Sequence, residues 1–225
     1  MRLNGKVPNF LKKLVVNNNR EWFNDNKDLY IEAKTLFEEF IEYQIQEISK
    51  FDSQVKGLQV KDSSFRIYRD VRFSKDKTPY KIHFSAYMAA GGRKSPYAGY
   101  YTHIEPDANL IAGGLHHPHK DILYAIRSKI YEKPQVFKNI IEHKDFKRFF
   151  PKIYGERLKT APKGFDKNFS DIELIQPKSY DFFKFISDDE ILKEDYSNKS
   201  MEAFQSLIPL NKYFNEIINK SGKNL

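Results

Sequence analysis

No cysteine occurs anywhere in the 225 residues. That absence excludes disulfides, thiol nucleophiles and cysteine-based zinc sites, and it confines any chemistry to His, carboxylates, Lys, Arg, Tyr, Ser or Thr. No apolar run approaches the roughly 18 residues needed to span a bilayer, and Met1–Pro8 lacks the apolar stretch of a secretory signal. A cytoplasmic protein with no membrane association is therefore expected. Internal repeats, low-complexity tracts and long linkers are also lacking, so 1–225 reads as a single domain.

What is present supports a folded core. Hydrophobic residues make up 40% of the chain and aromatics 15%, with 19 Phe and 14 Tyr, enough apolar surface to offset chain entropy. The net charge of +8 suggests an anionic partner, yet the basic residues are mostly Lys scattered among acidic ones, as on a solvated surface.

Periodicity gives the elements. Val7, Phe10, Leu11, Leu14 and Val15 predict a short first helix with Pro8 near its first turn. Asn18 with Glu21 three residues later resembles a capping box opening a long second helix. Its apolar face carries Trp22, Leu29, Ala33, Leu36, Phe40 and Ile48, flanked by Tyr30, Phe37, Ile41 and Ile45. From Phe65 the period changes to 2, which predicts strands at Phe65–Phe73, Tyr80–Ala89, Tyr97–Glu105 and Leu110–Leu115. The connectors are too short for parallel crossovers, so the expected architecture is α+β, an antiparallel sheet built around a central meander and packed with N-terminal, middle and C-terminal helices. Helices are expected after Pro118 and Pro134, a late strand at Tyr180–Ile186, and a C-terminal helix broken at Pro209.

One stretch reverses the chain's habits. Lys outnumbers Arg 29 to 9, yet three of the nine arginines fall between positions 66 and 72. Within Arg66–Lys81, six cations (Arg66, Arg69, Arg72, Lys75, Lys77, Lys81) face two carboxylates (Asp70, Asp76), a local balance of +4. A guanidinium is a planar, permanently charged fork that holds carboxylate or phosphate through two parallel hydrogen bonds, which an ammonium cannot do. The expected ligand-binding residues are thus Arg66, Tyr68, Arg69, Arg72, Lys75, Lys77 and Lys81; alternatively, the arginines serve internal pairs with Asp70, Glu38 or Glu39.

His83 and His103 are the expected acid–base residues, because His titrates nearest neutrality and alternation puts His83 with Lys81 and Ser85, and His103 with Tyr101 and Glu105. His116, His117 and His119 are broken by Pro118 and lack helical HExxH spacing, so no metal and no cofactor is expected. Nucleophile elbow, P-loop and dinucleotide fingerprints are absent.

The segments Arg66–Lys81, Asn18–Phe23, Gly113–Gly114 and Ala125–Arg127 resemble the bacterial family known as domain of unknown function 2461, over nearly the whole chain. Arg157–Asp166 is similar to that family's basic Pro-Gly segment, and Pro209–Leu210 to its C-terminal helix; Leu115, His116 and His117 depart from its usual pattern. The resemblance supplies no activity. The functional expectation is a domain binding an anionic, phosphate- or carboxylate-bearing ligand, with an enzymatic role left open. The alternatives are a nucleic-acid-binding module using the 66–81 segment, with Tyr68, Tyr97, Tyr100 or Tyr101 stacking on bases, and a protein-interaction or accessory domain.

Overall fold

A computed structural model describes residues 1–222. Along the chain run α1 (Lys6–Val16), α2 (Arg20–Asp25), α3 (Lys27–Ser49) and α4 (Val60–Ser63), then β1 (Phe84–Met88), β2 (Gly99–Ile104) and β3 (Asn109–Leu115). There follow α5 (Lys120–Glu132), α6 (Pro134–Ile141), α7 (Lys144–Phe149), β4 (Tyr180–Ile186), α8 (Asp188–Ile191), α9 (Tyr196–Ser206) and α10 (Ile208–Ser221). The four strands form an antiparallel sheet in the order β1-β2-β3-β4, so the expected α+β meander stands. No helix among the described residues is long and apolar enough to cross a membrane.

The chain divides into two compact units, the first comprising Met1–Arg93, Tyr101–Ile111 and Phe185–Glu202. Its core is aromatic. Phe10 of α1 and Phe37 of α3 both stack on Phe84 of β1, at ring-centroid distances of 6.0 and 5.4 Å, and Phe23 of α2 stacks on Tyr80 at 3.9 Å. Each phenyl removed from water contributes roughly 2–3 kcal/mol. The second unit comprises Lys94–Tyr100, Ala112–Lys184 and the described residues from Ala203 onward. There Phe137 meets Tyr180 edge-on at 5.7 Å, and Tyr180 lies 5.4 Å from Phe214 of α10.

The expectations for the second helix need correction. The long second helix is two helices, because Asn26 leaves helical geometry and its side-chain amide donates to the Trp22 carbonyl, competing with the helical ladder. The N-cap is Asn19, whose side chain accepts from the Trp22 amide. Asn18 instead spans to Tyr80, its amide nitrogen donating to the Tyr80 carbonyl at 2.9 Å while its oxygen accepts from the Tyr80 N–H at 3.2 Å. The buried face of α3 is Ala33, Phe37, Phe40, Ile41, Gln44, Ile45 and Ile48, rotated away from the exposed Leu29.

The strand expected at Phe65–Phe73 survives only as bridges, Ser64 to Ala86 and Tyr68 to Tyr80. Beyond Arg69 the side chains take over the backbone's bonds: Asp70 accepts from the Arg72 N–H, Asp76 from the Thr78 N–H, and Lys77 donates to the Val71 carbonyl. Phe73, the last residue of the expected strand, is 96% exposed.

The Gly113–Gly114 pair serves close packing in the second unit. A Cβ on Gly114, at φ +101°, would fall 2.0 Å from the Tyr180 carbonyl oxygen, and one on Gly113 would strike Leu207.

Candidate functional site

In the first unit, alternation along β2 puts Tyr101, His103 and Glu105 on one face and the buried Thr102 and Ile104 on the other. Lys81, His83 and Ser85 alternate in the same way into β1, and the segment at Phe65 runs beside them, the Phe65 N–H donating to the Ser85 carbonyl. Three rows of side chains therefore share one surface. The His83 and His103 rings lie 4.3 Å apart, Phe65 meets Tyr101 at 6.4 Å, and the Lys81 ammonium sits 5.5 Å from the centre of the Phe65 ring.

A hydrogen-bonded chain crosses this face. His103 Nε2 lies 2.7 Å from Glu105 Oε2, and His103 Nδ1 lies 2.9 Å from the Tyr101 hydroxyl. A carboxylate only accepts, so Nε2 carries the proton toward Glu105 and Nδ1 accepts from Tyr101. Ser85 hydrogen-bonds to Tyr101 in turn. Glu105 also faces His83, with Oε2 3.6 Å from Nδ1. Burial, then the neighbouring His103 and Lys81, pushes His83 down to about 3, and burial pushes His103 down against the pull of Glu105. Both rings are neutral at pH 7.

Lys81 is the odd group on this face. It is half-buried, and burial followed by the nearby Arg66 lowers its pKa. No carboxylate among the described residues lies within salt-bridge distance of it.

The other expected ligand residues go elsewhere. Arg69 pairs with Asp76 at 2.5 Å and also donates to Thr78. Arg72 grips Asp70 through Nε at 3.0 Å and Nη2 at 2.7 Å. Lys75 is exposed at the tip, and Tyr68 packs edge-on against Phe23 and Tyr80. Lys77 borders an open depression of about 480 Å³ with Asn18, Asn19, Arg20, Val71, Thr78 and Pro79, in which no imidazole takes part. The structure thus brings His83, His103 and Lys81 together, puts Arg66 near both Lys81 and Asp70, and leaves Arg69, Arg72, Lys75 and Lys77 on the tip. Of the tyrosines considered for base stacking, Tyr100 is fully buried and Tyr97 donates to Asn219.

Glu105 and Ser85 were not among the expected site residues, and Tyr101 was named only for base stacking, although strict alternation with His103 and His83 is the signal that marks them. In the second unit, His116 does have a carboxylate partner: its Nδ1 lies 3.2 Å from both oxygens of the buried Asp181, which also accepts from Ser179.

A family model described as conserved hypothetical protein (DUF2461) matches residues 6–213. The chain belongs to the DUF2461 family. No curated protein and no solved structure matches it. Membership brings no activity with it, so the function of this DUF2461 chain rests on its own groups.

Proposed function

We propose that the first unit binds a small anionic ligand, carrying phosphate or carboxylate, on the face formed by Lys81, Arg66, His83 and His103. The observation that carries this reading is the half-buried Lys81 ammonium with no carboxylate beside it. An ammonium partly withdrawn from water without a counterion raises the free energy of the folded protein, and a bound anion lowers it again. Phe65 supports the ammonium from one side, Arg66 adds a second cation, and the neutral His83 ring supplies an N–H donor that hydrogen-bonds an oxyanion.

The test is isothermal titration of the protein, kept in EDTA, with inorganic phosphate and with a panel of small mono- and dicarboxylates. Saturable 1:1 binding of at least one of them, accompanied by a rise in melting temperature, is the expected result. Failure of the whole panel, or preferential binding of single-stranded DNA with an affinity that collapses as salt rises, overturns the reading in favour of a nucleic-acid role for the exposed tip.

A further inference from the structure

We infer that His83, His103 and Glu105 form a binding site for one divalent transition-metal ion, with Tyr101 as the group that orients His103. The inference rests on the reading above only in placing the ligand at this face. Its own basis is the geometry of three donors.

One ring nitrogen of His83, one of His103 and a Glu105 oxygen all lie within 4.8 Å of one another, the one such group among the described residues. Two of the separations are 2.7 and 3.6 Å. An ion held tetrahedrally at about 2.0–2.2 Å from each donor places neighbouring donors roughly 3.4 Å apart, so side-chain movements on the order of an ångström at the tips suffice. Two imidazoles with one carboxylate is a borderline-soft set, suited to zinc, cobalt or ferrous iron, whereas magnesium and calcium require mostly oxygen. Three protein donors leave a coordination position open to water or to an oxygen of a bound anion.

The surroundings fit the same role. His103 must release its Nε2 proton to ligate and carry a proton on Nδ1 instead, and the Tyr101 oxygen, 2.9 Å away, is placed to accept that N–H. Metal-ligating histidines characteristically have such a partner on the other ring nitrogen. His103 lies in β2, and His83 and Glu105 sit one residue outside β1 and β2, so the sheet limits how far the three donors spread without the ion. Lys81 lies near both imidazoles.

The experiment is calorimetric titration of EDTA-stripped, dialysed protein with zinc, and with magnesium as a comparison, followed by cobalt titration read by visible absorption. Expected are one zinc per chain, no magnesium heat, and cobalt bands in the intensity range of four- or five-coordination. Glu105→Gln, which keeps size and hydrogen bonding, and His103→Ala abolish uptake; Tyr101→Phe weakens it roughly tenfold; His116→Ala leaves it unchanged. Melting curves in EDTA identify any variant that fails to fold, and Glu105→Gln then decides alone. Absence of zinc binding by the folded wild-type chain, or zinc binding that survives Glu105→Gln and His103→Ala but is lost in His116→Ala, overturns the proposal. Neither result touches anion binding, which is measured in EDTA.

Discussion

Two neighbouring parts of one basic segment treat their cations in opposite ways. Between Arg69 and Thr78 both arginine charges are spent internally: Arg69 on Asp76 and Thr78, Arg72 on Asp70, with Lys77 turned to backbone carbonyls. A few residues later Lys81 is half-buried beside Phe65 and two neutral imidazoles, with no carboxylate in reach among the described residues. The lesson is that cation density along a chain says little about anion binding, since guanidinium pairs readily with the nearest carboxylate. An unspent charge in a half-dry place is the better indicator.

The contrast is broken most directly by exchanging the two kinds of cation. Lys81→Ala should weaken binding of whichever anion the titrations identify by roughly tenfold or more, whereas Arg72→Ala, made on the tip, should change it less than about twofold. Equal losses in both variants would erase the distinction. Next in size is stability without ligand. Lys81→Met removes an unpaired ammonium and should raise stability by about 1 kcal/mol, a modest figure because half the side chain still meets water. Arg69→Ala should lower it by a similar ~1 kcal/mol, since Asp76 and Thr78 lose their shared donor. Urea denaturation of the two variants checks the opposite signs, and a destabilised Lys81→Met would show the amine to be structural.

The smallest effect concerns pH. The Thr78 backbone N–H, then Arg69 and the Thr78 hydroxyl, hold Asp76 down to about 2. A folded-state pKa below the unfolded value of about 4 means this contribution is present above pH ~4 and disappears as pH falls through about 2. Wild-type stability should therefore decline over that window more steeply than that of Asp76→Asn, measured by denaturant titration at stepped pH. Parallel slopes would mean that the tip is not held by this carboxylate.

Much of the frame was legible beforehand. β4 follows the expected Tyr180–Ile186, and the C-terminal helix breaks at Leu207, with Pro209 in the first turn of α10, where it ends the ladder carried over from α9. The strand at Phe65 was not, because alternation records which residues suit a pleat but not whether nearby Asp, Thr and Lys side chains will take the ladder's hydrogen bonds first. The meeting of His83 with His103 depended on register between β1 and β2, which no single strand encodes. Glu105 was legible as a face-mate of His103 by alternation, but the hydrogen bond between them depends on side-chain placement that alternation does not record.

The Asn18 side chain deserves a last deduction. By offering a donor and an acceptor to the outward-facing peptide of Tyr80, one amide imitates a whole strand. A peptide edge that would otherwise invite a second copy to zip onto it is already occupied. Asn18→Ala would then be felt less in folding than in solution behaviour at high concentration, as a new tendency to self-associate along that edge.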